Sequence, residues 1–309
     1  MPDFAADAPF GLESAVARIP ILSGVDVTMA IRLGGMTNVN HLIEHEGSKY
    51  VVRLPGSGTS EYIDRAAEEV AARSAATADV NAEVLFFDAA DGLMVTRFVE
   101  RSVTMDPTRF RDLDAVARAG VAFRRLHDGA APFSTDFELF SMIDEYKALL
   151  VAKGARLPDG YEVTQRRADA ARSALESRPA ALVPSHCDPL CENFLDTGQR
   201  MYIIDYEYAG NNDPMWDLGD LSVEAGFDEA QDRALLLAYC GGEPPPQQVA
   251  RMVMYKALCD LLWTLWGVIQ HVNGNPAEDF WAYAGVRFER CRQLMASDTF
   301  ADHIVNLTA

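Results

Sequence analysis

"HCDPLCEN" (186–193) gathers one His, two Cys, an Asp, a Glu and an Asn within eight residues. Three chemistries compete for it. Zinc could take His186, Cys187 and Cys191; a thiol nucleophile could pair Cys191 with His186; or the acid and the amide could act with the Cys as bystanders. The Cys-x3-Cys spacing is isolated, with no second pair nearby to complete a tetrahedral site. The apolar run "MYII" (201–204) then delivers Asp205, twelve residues after Asn193. An acid, an amide and a second acid suit phosphoryl transfer. One carboxylate meets the attacking hydroxyl, while another carboxylate and an amide oxygen hold Mg²⁺ against the phosphates. On this reading Asp188 takes the first role, and Asn193 with Asp205 the second. Both Cys then fill space in a packed loop.

Outward from this stretch the chain runs to 309 residues, enough for a large core in one or two domains. With 49% hydrophobic and 24% charged residues it reads as an ordinary globular protein. A formal net charge of −19 argues against nucleic acid and anionic membrane as partners. Five Cys, an odd count without a CxxC pair, argue against a disulfide framework. The first twenty residues have neither the basic region nor the apolar run of a signal peptide. "MVMYKALCDLLWTLWGVIQHV" (252–272) is interrupted by Lys256 and Asp260, which predicts a buried helix and no membrane insertion. The expectation is a reduced, cytoplasmic protein. Oligomeric state is not legible here.

The N-terminal hundred residues carry strand signals. "VDVTMAIRL" (25–33), "VNHLIEHE" (39–46) and "KYVVRL" (49–54) are β-rich runs split by "GGMTN" and "GSK". An Ala- and Glu-rich helix follows over 61–76, then two strands around "AADG". Beyond about residue 98, helical periodicity covers 108–128, 137–152, 161–177, 228–240, 247–273 and 277–295. "GGEPPPQ" (241–247) breaks two of these helices apart. Asp213 before Pro214 reads as a helix N-cap with Pro at the first helical position, which puts Asp217 near the first turn. The predicted fold is α+β, with a β-rich lobe over 1–97, a mainly helical lobe over 98–309, and a cleft between them.

"HCDPLCEN" followed by "IDYEYAGNNDPMWDLGDLSVE" resembles the choline/ethanolamine kinase family, a branch of the aminoglycoside-phosphotransferase and protein-kinase-like fold. The family pattern is roughly H-x-D-x4-N, then I-D-[FY]-E-Y-x3-N-x4-D-x6-E. Asp205, Glu207, Tyr208, Asn212, Asp217 and Glu224 fall in register. The resemblance implies a bilobal kinase fold, ATP as co-substrate with Mg²⁺, and a small cationic alcohol as acceptor, choline first. Ethanolamine, thiamine and aminoglycoside kinases of the same fold are the alternatives, followed by a non-catalytic nucleotide-binding module.

The resemblance also suggests places for the remaining site residues. "GGMTNVNH" (34–41) takes the position of a loop over the ATP phosphates, with Gly34 and Gly35 allowing close approach and Thr37 and Asn38 offering hydrogen bonds. Arg53 stands where protein kinases carry a phosphate-binding Lys, and a guanidinium can hold phosphate oxygens in pairs. Its ion-pair partner is Glu68, with Glu69 as rival. Glu207 is either a further Mg²⁺ contact or a group behind one. His186 and Asp217 brace the catalytic loop. Trp263 and Trp266 lie three apart on one helix face, a spacing that ordinarily means core. In choline kinases such a pair lines the ammonium site, with Tyr283 and Glu224 joining it here. The aromatics that complete a cage in eukaryotic members are missing after Glu224, and Phe227 is the candidate replacement.

Overall fold

A computed structural model of the chain describes residues 8–35, 38–56 and 63–308. The N-terminal sheet grows from β-branched and aromatic runs that fit a pleated surface. After the two-residue β1 (Ile31–Arg32) come β2 (Val39–His45) and β3 (Ser48–Leu54), paired from Val39 opposite Leu54 to His45 opposite Ser48. Glu46 and Gly47 close the hairpin with φ of 50° and 72°, as a tight turn joining twisted strands requires. β4 (Val84–Asp88) and β5 (Leu93–Arg97) complete an antiparallel sheet in the order β1-β2-β3-β5-β4. β3 is therefore central, and Arg53 on it lies between Asn40 and Met94.

The strand expected over 25–33 shrinks to its last residues. Asp26 Oδ1 accepts from the Thr28 backbone N–H at 2.9 Å and winds Val27–Met29 into a 3₁₀ turn. That local bond competes with strand pairing. The short α1 (Leu12–Val16) and the turn after it lay Ala15, Val16, Ile19 and Leu22 on the sheet's apolar face, against Val39, Ile43, Val52 and Val95.

α2 (Arg65–Thr77) starts where Asp64 caps it, four residues later than the helix expected over 61–76. Its Ala71, Ala72 and Ala75 belong to the larger apolar cluster of the helical part. That part contains α3 (Leu113–Gly129), α4 (Leu139–Ala152), α5 (Tyr161–Ser177), α6 (Pro214–Ala225), α7 (Glu229–Cys240), α8 (Pro246–Val272), α9 (Phe280–Ala296) and α10 (Asp298–Thr308). α3 begins at Leu113 and not at 108, because a 3₁₀ turn precedes Asp112, whose side chain caps it. α9 likewise waits for its cap at Asp279. α10 had no counterpart in the sequence reading; it is short, and it is held by the burial of Phe300 and Leu307.

α8 is the axis of this lobe and packs against α4, α6, α9 and α10. Its length and composition would suffice to cross a membrane, but most of its apolar stretch is buried inside the protein. Gly219 lets α6 lie close to it: a Cβ there would sit 3.0 Å from the Met252 carbonyl oxygen. Asp213 caps α6 through the Met215 N–H at 3.0 Å, with Pro214 as the first helical residue. The whole is the α+β architecture read from the sequence, with strands first and helices after.

Two small sheets interrupt the helices. β6 (Val103–Thr104), β8 (Phe194–Asp196) and β9 (Met201–Ile203) form one, and β7 (Val183–Ser185) with β10 (Gly210–Asn212) forms the other. These few residues position the site.

Candidate active site

Asn193 and Asp205 are brought together by strand register. β8 begins immediately after Asn193, β9 ends two residues before Asp205, and Phe194 pairs with Ile203. The Ile204 N–H then donates to the Asn193 carbonyl at 2.9 Å. On the other side Ser185 pairs with Gly210. The loop at 186–193 and the turn at 204–209 therefore leave the two small sheets side by side.

One carboxylate fixes the loop. Asp217, fully buried near the start of α6, accepts from the backbone N–H groups of His186 and Cys187, each at 2.8 Å. His127 Nε2 of α3 is hydrogen-bonded to it at 3.0 Å. His186 joins the two segments through Nε2, 2.8 Å from the Ile204 carbonyl oxygen. Burial lowers the His186 pKa, so a neutral ring donates there. Cys187 and Asp205 both adopt the left-handed region, with φ of 67° and 71°. Non-glycine residues persist there only where the surroundings over-determine them. Trp216 Nε1–H holds the Cys187 carbonyl at 3.2 Å.

The thiol and zinc readings of this loop find no support in its geometry. Burial pushes the Cys191 thiol up to about 12 and raises Cys187 well above its ordinary value, so neither is a ready nucleophile. Among the described residues, no grouping of metal-capable side chains includes His186, Cys187 or Cys191.

Around Arg53 lies a mesh of ion pairs. Arg53 pairs with Glu68 of α2, and its guanidinium reaches Asp205 at 3.4 Å and Glu207 at 3.7 Å. Arg65 bridges Glu68 at 2.7 Å and Glu207 at 2.6 Å. Glu69, the rival partner, instead pairs with Arg73 at 2.8 Å. Asn38 donates to Glu207 at 2.9 Å and accepts from the Gly56 N–H at 3.2 Å, so both ends of its amide are engaged by the protein. Gly35 folds tightly in the same loop, where a Cβ would lie 2.5 Å from the Asn38 carbonyl oxygen. Gly34 has open space around it. Thr37 lies outside the described residues.

These groups can hold a hard cation. Carboxylate oxygens of Glu68, Asp205 and Glu207 lie within 4.8 Å of one another. The Asn193 amide donates through Nδ2 to the Asp188 carbonyl at 3.1 Å, which leaves its Oδ1 as the acceptor. Burial and Glu207 push the Asp205 pKa upward, with Arg53 opposing. The burial of Glu207 is outweighed by Arg53, Arg65 and Asn38, which keep its pKa low. Burial, with Glu224 and Glu207 nearby, pushes Asp188 up to about 7.

Apart from this mesh, Trp263 and Trp266 of α8 meet edge to face with centroids 5.8 Å apart, and Trp266 meets Tyr283 of α9 at 5.7 Å. Phe280 closes on Trp266 at 5.4 Å. Glu224 pairs with Arg287 at 2.7 Å, and that guanidinium stacks over the Tyr283 ring at 4.8 Å. Phe227 is not part of this cluster; it packs on Phe110 in the lobe's core, with centroids 5.6 Å apart. A cavity of about 420 Å³ opens beside Glu224, Tyr283 and Arg287.

A profile of the choline/ethanolamine kinase family matches residues 29–237. The chain belongs to that family. It is 50% identical to a choline/ethanolamine kinase family protein from Mesorhizobium loti, with a TM-score of 0.89 over 96% of this chain and 97% of that one. The choline kinase LicA from Streptococcus pneumoniae shares 27% identity and a TM-score of 0.74, over 92% of this chain and 98% of its own. Protein LicA from Haemophilus influenzae is 28% identical over 269 residues, 85% of this chain and 78% of that protein. As a member of the family, the protein is a phosphotransferase with an alcohol group as acceptor.

Against this kinase frame, the sequence-derived residues fall into two assemblies, one around Asp188, Asn193, Asp205, Glu207, Arg53 and Glu68, the other around Glu224, Trp263, Trp266 and Tyr283. Three participants escaped the sequence reading: Arg65, His127 and Arg287. Arg65 carried a faint signal, three residues before Glu68 on one helix face. The other two meet their partners only through helix packing.

Proposed function

We propose that this kinase transfers the γ-phosphate of ATP, held with Mg²⁺, to the hydroxyl of choline. The observation that carries the reading is the convergence of Asp188, Asn193 and Asp205 beside the buried Arg53–Glu68 pair. Asn193 and Asp205 hold the metal, with Glu207 as a further oxygen donor kept in place by Arg65 and Asn38. Mg²⁺ neutralises charge on the phosphates when bound. Arg53 and the backbone at Gly34 and Gly35 face the phosphates. Asp188 orients the acceptor hydroxyl and takes its proton, a role to which a carboxyl titrating near 7 is well matched. In a loose transition state this positioning counts for more than early proton removal.

The acceptor is held by Trp263, Trp266 and Tyr283, whose faces suit a quaternary ammonium that has no hydrogen to donate. Glu224 stands at that end, held by its ion pair with Arg287. A cytoplasmic setting supplies the ATP and suits five free thiols.

Purified protein with ATP and Mg²⁺, offered choline, ethanolamine and other alcohols, tests the reading through ADP release. The expected result is release that depends on choline and exceeds that with ethanolamine. Release with no cationic alcohol above background contradicts it.

A further inference from the structure

The charges at the alcohol end do not cancel. Arg287 takes Glu224 at 2.7 Å and touches Asp260 at 3.4 Å, while Arg290 holds Asp260 at 2.5 Å. Two guanidinium groups thus answer two carboxylates. Asp220, one turn before Glu224 on α6, remains. It is 1% exposed, and among the described residues it enters no ion pair. One oxygen accepts a weak bond from the Cys259 thiol at 3.1 Å; the other, Oδ2, has no partner. Oxygens of Asp220 and Glu224 and the Cys259 sulfur lie within 4.8 Å of one another.

A buried carboxylate without a cation is costly to a fold and is retained where something uses it. Glu224, already matched by Arg287, offers little net charge to an incoming ammonium. We propose that Asp220 supplies the counter-charge for the acceptor's ammonium and so sets the preference for cationic over neutral alcohols. The inference rests on the amino-alcohol reading above.

The surroundings of Asp220 fit this role. Glu224 faces it from α6, Asp188 from the catalytic loop, Cys259 from α8 and Arg287 from α9, with Asp260 behind Arg287. Burial first, then Glu224 and Asp188, hold its carboxyl well above the usual range. A cation beside it would favour the ionised carboxylate. No contact between oxygen and nitrogen is required, because a quaternary ammonium is attracted through its field and a low dielectric preserves that attraction.

The test is Asp220→Asn, which keeps the shape of the side chain and removes its charge. Two acceptors are compared: choline, and its neutral isostere with a quaternary carbon in place of the nitrogen. The expected result is a KM for choline raised about 30-fold or more, with kcat within about threefold. The KM for the isostere stays within about twofold. The variant also keeps or raises its Tm, because the amide relieves a buried acid among acids.

An unchanged KM for choline overturns the proposal. So does an equal loss on both alcohols, and so does a variant that melts lower or fails to fold, since either marks Asp220 as structural. A wild type inactive on every cationic alcohol removes the functional reading itself, and the proposal with it; that outcome is visible before any variant is compared.

Discussion

At the proposed phosphate end of the site, Arg53 and Arg65 stand against Glu68, Asp205 and Glu207. At the alcohol end, Arg287 and Arg290 stand against Glu224 and Asp260, and Asp188 and Asp220 are left over. Each end has more carboxylates than guanidinium groups to match them. On the proposed function the imbalance is used twice, once for the metal and once for the substrate. The two ends are built differently, however. The phosphate end is made by two short segments set side by side in a small sheet, plus one strand–helix ion pair. The alcohol end is made by side chains from α6, α8 and α9, and a rigid helix–helix interface is what shapes it.

The comparison breaks most readily at the point where the two ends meet. Asp188→Asn is expected to lower kcat by about 10²–10⁴-fold while the Tm holds, because the amide replaces an acid that burial disfavours. Steady-state kinetics beside a melting curve checks both halves. Retention of more than about a tenth of kcat would remove Asp188 from the chemistry.

Next in size is the buried pair. Glu68→Ala leaves Arg53 and Arg65 without their shared partner and is expected to cost about 3–5 kcal/mol. Denaturant midpoints report it, and the KM for ATP should rise in parallel. At the other end, Trp266→Ala should raise the KM for choline about 10- to 30-fold, the worth of a desolvated cation–π contact. Ethanolamine, which can donate hydrogen bonds, should be affected less than about threefold. Equal losses on both alcohols would make the Trp cluster a packing feature.

The smallest expected effect is a matter of pH. Asp188 is pushed up to about 7, so kcat/KM should climb from acid through about that value as the base ionises. The same shift acts on stability with the opposite sense. A carboxyl whose folded pKa is raised contributes stability that is full below its unfolded pKa and is lost as pH rises through the folded value. The protein without metal or nucleotide should therefore melt lower at pH near 8 than near 5, and Mg²⁺ with ATP should stabilise it most at the higher pH.

How much of this was legible in the sequence follows the same division. His186, Asp188, Asn193 and Asp205 could be read because a short motif places chemistry at fixed intervals, and strand register does the rest. The Arg53–Glu68 pair was legible only through the family resemblance, and the structure decides between Glu68 and its rival Glu69. The strand over 25–33 was misread, since periodicity cannot register one Asp26 side chain capturing a backbone N–H. Phe227 was assigned by its distance from Glu224, but the αL turn at Gly226 directs the chain away and the ring packs on Phe110. Nothing in the sequence singled out Asp220 or Arg287. Only the approach of α6 to α8 at Gly219, and of α9 to both, turns them into a matched and an unmatched charge.

The central claim is that phosphate leaves ATP for the hydroxyl of a cationic alcohol, and phosphorus NMR of the reaction mixture tests it most directly. With Mg²⁺, ATP and choline, a phosphomonoester resonance is predicted to grow as the γ-phosphate signal decays, and to vanish when Asp205 is replaced by Asn. Decay of the γ-phosphate into inorganic phosphate alone, at a rate indifferent to the alcohol supplied, would contradict the account.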